Sequence, residues 1–276
     1  MSDLGSTLKS CVKIALQSRT PSISKSAPKG ESLIIMGNGP SLGDAIRDHA
    51  GVLKSHPLMA VNFAANTDEF MELRPQYYIL ADPHFFVRGG HENVDRLYER
   101  LSHDVDWEMR LFVPVRMYAV AQCLVSNPRI RIETFNPVGV EGFAWVESLA
   151  FSSGRGMPRP RNVLIPAIMC AMLAGYKKIA IAGADHSWMR TIEVNELNEV
   201  ISVQPHFYAD SKEEKSRVTT TYRNYRLHDI VYSFYVAFKS YFAVKRYSDR
   251  KGIEIVNVTP GSFIDAFPRK RLEELG

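Results

Sequence analysis

Residues 162–188 read NVLIPAIMCAMLAGYKKIAIAGADHSW and contain a whole structural unit in order. About eleven largely apolar residues form a helix that stops at Gly175, the residue type best suited to the left-handed turn after a helix C-terminus. A lysine pair follows, and then KIAIAGA (178–184), an apolar run with no polar alternation, as expected of a strand covered on both faces. The run opens into a polar loop at Asp185, His186 and Ser187. Helix, glycine cap, buried strand and polar exit together make the repeating unit of a parallel sheet.

The same alternation extends in both directions. SLIIMG (32–37) reads as a fully buried strand, and SLGDAIRDHAGVL (41–53) as a helix beginning near Ser41. LMAVNFAAN (58–66), running into a turn at its asparagines, and YYILADP (77–83) are the next strands, the latter stopped by Pro83. RLYERL (96–101) suggests a helix, EMRLFVPV (108–115) a strand and RIRIETFNPVG (129–139) a short strand. A Gly/Pro/Arg loop spans 152–163, and GIEIVNVTPGSFIDAF (252–267) supplies the last strand with its polar exit. The pattern predicts an α/β fold, a Rossmann-like, mostly parallel sheet with helices on both faces. Four regions follow. Residues 1–30 are an N-terminal basic segment and linker, and 31–189 the Rossmann-like core. Residues 190–227, polar and threaded with aromatics, form a lid or small subdomain; 228–276 supply the helix, strand and tail that complete the core.

The 45% hydrophobic and 23% charged composition is that of a globular chain. Cys11, Cys123 and Cys170 are odd in number and far apart, which argues for a reducing compartment and against a disulfide scaffold or thiolate metal cage. A net charge of +4 favours anionic ligands slightly, and with no zinc-finger spacing or RGG-like tract no nucleic-acid partner is expected. No run approaches the ~18 apolar residues of a spanning helix, and the N-terminus lacks a secretory apolar core. The expected location is the cytoplasm. Peripheral contact with the inner face of a membrane stays open through STLKSCVKIALQ (6–17), a basic amphipathic helix, and the aromatic stretch 228–251, which also suits a core helix. Homo-oligomerisation stays open too.

Ligands of open α/β sheets sit outside the carboxyl ends of the strands. There, Gly37 and Gly39 permit a tight turn and close backbone approach, Asn38 offers an amide, and a helix from Ser41 offers unpaired N–H groups to a phosphate. Leu42 holds the place of the third glycine of a dinucleotide loop, and no G-K-[ST] follows. Other strand exits carry Asn62 and Asn66, Asp82 and His84, Asp185 and His186, and Asn257, Thr259 and Ser262. Taken singly each is an ordinary turn or cap residue; converging on one edge they suggest a site. No HExxH, G-x-S-x-G or CxxC is present. Group transfer fits these residues better, with a histidine as general base. Arg155, Arg159 and Arg161 could neutralise a phosphate, and Tyr208, Tyr222 or Tyr225 could donate to one.

IIMGNGPSL (34–42), VNFA (61–64), YYILADPHFF (77–86) and IMCAMLAGYKKIAIAGAD (168–185) together resemble bacterial sialyltransferases, which use CMP-activated sialic acid. The wider clan shares a Rossmann-like core and a G-x-GPSL start; it includes flagellin-modification proteins and hydroxymethylpterin pyrophosphokinases. The resemblance implies that Gly37, Asn38, Gly39 and Ser41 cradle CMP and that Asn62 contacts nucleotide or sugar. Asp82 stands where the family has an asparagine, Arg161 for the family's arginine, and no tyrosine follows Asp185. His186, Ser187 or the lid tyrosines Tyr208 and Tyr225 would then hold the leaving phosphate. His228, with His206 as runner-up, matches the catalytic histidine. The implied reaction is an inverting displacement with no metal and no cofactor beyond the CMP-sugar, whose sugar is sialic-acid-like or Kdo-like and whose acceptor is a glycan or lipid-linked. Three alternatives stand beside it: a transferase using another nucleotide-sugar, a pterin pyrophosphokinase-like enzyme, and a non-catalytic nucleotide-binding protein. Gathering of Asp82, Asp185 and Asp265 at one point would favour the second of these, as metal-assisted pyrophosphoryl transfer needs carboxylates.

Overall fold

A computed structural model of the chain describes residues 3–25, 32–87, 89, 91–202 and 225–275. Strands β1 (Ser32–Met36), β2 (Leu58–Val61), β3 (Tyr77–Ile79), β4 (Met109–Pro114), β5 (Ile130–Phe135), β6 (Lys178–Ala182) and β9 (Glu254–Asn257) form one sheet. Its order is β5-β4-β3-β2-β1-β6-β9 and every neighbouring pair is parallel. The apolar runs lack polar alternation because both faces are covered. In β1, Leu33 and Ile35 enter one core while Ile34 and Met36 enter the other. The first core packs beneath α6 (Ala144–Ser152), α7 (Leu164–Ala174) and α8 (Leu227–Arg250). The second packs beneath α2 (Ser41–Lys54), α3 (Asp68–Leu73), α4 (Glu92–His103) and α5 (Tyr118–Leu124). The expected α/β architecture is the observed one.

From β1 the chain steps outward strand by strand to β5, then returns to place β6 on the opposite side of β1. The sheet order therefore reverses between β1 and β6, the place where open α/β sheets bind ligands. The opening stretch of sequence folds as read. Nine of the eleven residues of α7 are buried, and its Gly175 cap has φ 106°.

Other elements depart from the pattern. The second strand is shorter than expected and ends at Val61; the turn expected at its asparagines is present, with Asn62 at φ 53° and NFAAN curled into a 3-10 turn. Helices α3, α5 and α6 are absent from the expected elements; α6 exposes Trp145 and Leu149 alongside its polar residues, so it has no amphipathic signature. Helix α1 (Asp3–Gln17) is followed by residues 18–25 lying along β5, where the Ser22 N–H donates to Thr134 O at 3.2 Å and the Ser24 N–H to Glu133 at 3.1 Å. That segment, expected as a linker, straps the edge of the sheet. Past β6 a short hairpin of β7 (Ile192–Val194) and β8 (Val200–Ser202) packs through Val200 on Ile230 and Phe234 of α8. His206, Tyr208 and Tyr222 lie outside the described residues. Among the described residues no helix is long and apolar enough to cross a membrane.

Candidate functional site

A cleft of about 400 Å³ opens at the carboxyl edge of the sheet. Its walls come from the loop after β1, the exits of β2, β3 and β5, the approach to α7, the loop after β6, and the inner face of α8 around Phe234. At the switch point the two loops are joined directly. The Gly37 N–H donates to Ala182 O and the Gly39 N–H to Gly183 O, both at 2.8 Å. A Cβ at Gly37 would lie 2.4 Å from Gly183 O, and one at Gly39 only 1.8 Å from Asp185 Oδ2. These glycines are therefore demanded first by the neighbouring loop, not by a ligand. Asp185 Oδ2 also accepts from the Ser41 hydroxyl at 2.8 Å. A carboxylate of this chain thus reaches the N-terminus of α2, where the sequence suggested a ligand phosphate; the electrostatic preference for an anion there is met internally.

Two cleft residues other than glycine hold left-handed backbone, Asn62 (φ 53°) and His186 (φ 51°). The Tyr78 hydroxyl donates to Asn62 O and pins the first. His186 is buried beside Trp188, Phe238 and Tyr241, and its Nε2 lies 2.6 Å from the Tyr241 hydroxyl. That hydroxyl meets Asn162 Oδ1 at 3.1 Å, and the same oxygen accepts the Leu164 N–H at 3.1 Å. A backbone N–H can only donate, so Asn162 presents oxygen here and Tyr241 must give its proton to it. Tyr241 then accepts from His186, which fixes the imidazole as the Nε2–H tautomer with its lone pair on Nδ1. Burial pushes the His186 pKa down to about 3, and the ring is neutral at physiological pH.

The α7 end of the cleft has the opposite character. Asn162 spends its oxygen capping α7, while its Nδ2 is buried with no hydrogen-bond partner among the described residues; the exposed Arg161 stands beside it. Arg161 and the Asn162 amide are the donor groups on this side of the cleft.

Gly37, Asn38, Gly39, Asn62, Asp82, Arg161, Asp185, His186 and Ser187 all line the cleft, with Ser41 immediately behind through Asp185. Asp82 also accepts the His84 N–H at 3.1 Å. His228 lies elsewhere: it projects from the first turn of α8, its side chain 82% exposed and 3.5 Å from Asp229. Tyr225 is exposed just before that helix and does not line the cleft. His206 and Tyr208 fall outside the described residues. The polar exit of β9 is buried away from the cleft, a correction to the expected convergence. Asn257 bonds Ser262 at 3.0 Å, Thr259 accepts the Ala184 N–H at 3.0 Å and Ser262 donates to Ala184 O at 2.6 Å, so this exit braces the β6 loop. Asn66 likewise donates to Asn93 O at 2.9 Å. Asn162, Trp188 and Tyr241 were not anticipated. Asn162 could have been found as a cap before an apolar helix; Tyr241 has no local signal.

Among the described residues no group of three or more His, Cys, Asp or Glu is arranged to hold a metal ion. Asp265 is exposed and does not line the cleft with Asp82 and Asp185.

No protein-family model and no curated protein sequence matches the chain. Among solved structures, its fold is similar to that of the MAf glycosyltransferase from Magnetospirillum magneticum AMB-1, with a TM-score of 0.54 and 10% sequence identity. The match covers 99% of this chain and 39% of that one. At that identity the likeness is one of fold.

Proposed function

We propose that this protein is an inverting glycosyltransferase that moves an acidic, sialic-acid-like or Kdo-like sugar from a CMP-activated donor to a hydroxyl of a cell-surface glycan or lipid-linked acceptor. The observation that carries the reading is the switch-point cleft, where nine of the residues suggested by the sequence line one cavity of mononucleotide size. The donor phosphate takes the α7 end, against Arg161 and Asn162 Nδ2, because Asp185 already occupies the end of α2. Asp82 and Asn62 face hydroxyls of ribose or sugar, and His186 Nδ1 accepts a further substrate hydroxyl. In the reaction the acceptor oxygen bonds to the anomeric carbon, the bond from that carbon to the phosphate oxygen breaks, and CMP leaves with the electron pair. The acceptor proton passes to a histidine. Protonating His186 would put a charge into an apolar box, so the base is the one the resemblance implies, His228, with His206 second; His228 does not line the cleft, and the role requires an acceptor that extends from the cleft to the first turn of α8.

One observation favours a second reading, a transferase with a different nucleotide-sugar. Asp82 and Asp185 are both carboxylates on the cleft wall, and they suit a donor sugar that presents hydroxyls rather than a carboxylate. Calorimetric titration of CMP, UMP, GDP and ADP separates the two. Preference for CMP is expected; no preference for cytidine overturns the leading reading, and preference for another base favours the second. His228→Ala should abolish turnover while leaving nucleotide affinity intact. If His206→Ala is the inactive variant instead, the base assignment moves.

A further inference from the structure

Helix α1 is mounted the wrong way round for a packed amphipathic helix. Its inward face is largely polar, with Ile14 packing on the first core. Thr7 and Ser10 are buried, Thr7 Oγ1 accepts the Phe143 N–H at 2.9 Å, and the Ser10 hydroxyl donates to Glu141 O at 2.8 Å while accepting the Glu141 N–H at 3.0 Å. The seat is built for it: Gly142 has φ 138°, and a Cβ there would meet Thr7 Oγ1 at 2.1 Å. The outward face is apolar. Leu4, Leu8, Val12 and Leu16 recur every four residues and are 59, 61, 57 and 67% exposed. Spacing of four keeps them on one side of the helix. Helix α6, which starts where α1 is anchored, adds Trp145 at 69% and Leu149 at 64%.

Isolated exposed leucines need no explanation, but a helix that hydrogen-bonds its polar side to the body and turns a continuous apolar stripe to solvent does. The charges indicate what covers it. Beyond Asp3 in the first turn α1 carries only Lys9 and Lys13. Glu147 of α6 is half-buried and accepts the Gly142 N–H, so across this face a second copy would bring mainly lysines toward lysines, whereas anionic headgroups are complementary. Lysine beside an apolar stripe, with a tryptophan on the next helix, is the arrangement of an interfacial helix. We propose that α1, with the exposed side chains of α6, seats this protein on an anionic membrane surface. The seat is independent of the cleft and of the reading given to it.

The test is sedimentation of the full chain with phosphatidylcholine vesicles, with and without phosphatidylglycerol. Binding is expected to the anionic vesicles and to weaken as salt is raised. Leu8→Glu with Val12→Glu should abolish it, and Lys9→Gln should weaken it about fivefold. All three positions lie on the open side of α1 or at its edge, so the thermal melt should be unchanged; Lys9→Gln carries the test if the double variant misfolds. Failure to bind either vesicle overturns the proposal, as does a double variant that binds like wild type. A dimer in sedimentation velocity that dissociates on the double substitution, without vesicle binding, gives the stripe to a second copy and also overturns it.

Discussion

Gly37 and Gly39 answer to residues far later in the chain. Adding one methyl group at Gly39 drives it into the Asp185 carboxylate and the Gly183 carbonyl, so Gly39→Ala should lower unfolding free energy by about 1–3 kcal/mol in a denaturant titration. Gly51 is the internal control. It sits in α2 with nothing near its missing Cβ, and Gly51→Ala should stabilise by about 0.4–1 kcal/mol. The need for small residues after β1 was legible in the sequence, but the reason was not, because the contact is with the β6 loop. His186 shows the same division. Its place at a strand exit could be read; its tautomer could not, since Tyr241 comes from a distant helix. Its depressed pKa makes a pH prediction. Unfolded, the imidazole takes a proton near its ordinary value of 6.5; folded, it resists down to about pH 3. Below pH 6.5 the unfolded state binds more protons, so stability present at neutral pH is lost at up to about 1.4 kcal/mol per pH unit between those limits. Urea titrations at pH 7 and pH 5 should show a larger loss for wild type than for His186→Gln, and equal losses would remove the burial argument.

At the level of elements, the central strands β1, β2 and β6 were legible because a strand buried on both faces is apolar along nearly all its length. The strap along β5 was not, because serine, proline and lysine look alike in a tether and in a segment held by side-chain hydrogen bonds. Its anchor is Glu133, only 1% exposed, which Arg110 meets at 2.5 Å and which also receives Ser24. A carboxylate in that position is tolerable only while paired. Arg110→Met should therefore cost about 3–5 kcal/mol in a denaturant titration, since it leaves a buried charge with weakened compensation. Arg131 meets the same carboxylate at 3.1 Å but is 68% exposed, so Arg131→Gln should cost no more than about 1 kcal/mol. Similar losses for the two variants would mean that the buried Arg110–Glu133 pair is not what holds the strap. Helices α3, α5 and α6 escaped the sequence reading for a different reason: all are short, and α6 leaves large apolar side chains in solvent, which defeats any search for a polar face.

For the whole molecule, the cleft draws its walls from five strand exits, one helix N-terminus and the flank of α8, so a ligand there would join segments that are otherwise held together mainly by the sheet. The sheet edge that carries the site was predictable from alternation of strands and helices alone. The contribution of α8 was not, since nothing in its own sequence marks Phe234 as a cleft wall rather than core. A ligand that binds the folded chain and not the unfolded one stabilises it by mass action, about 2.7 kcal/mol at a hundred times the dissociation constant. For a domain of this size that corresponds to a rise in melting temperature of about 5–10 °C. On the proposed reading CMP produces this shift, and cytidine, which lacks the phosphate, produces less at equal concentration. Arg161→Ala should bring the CMP shift down toward the cytidine shift while leaving cytidine itself unaffected. The paired comparison locates the phosphate as well as detecting it. If Arg161→Ala lowers both shifts equally, the guanidinium acts on the nucleoside or on the fold. If it lowers neither, the phosphate lies against the β1 loop and must compete with Asp185 for the end of α2.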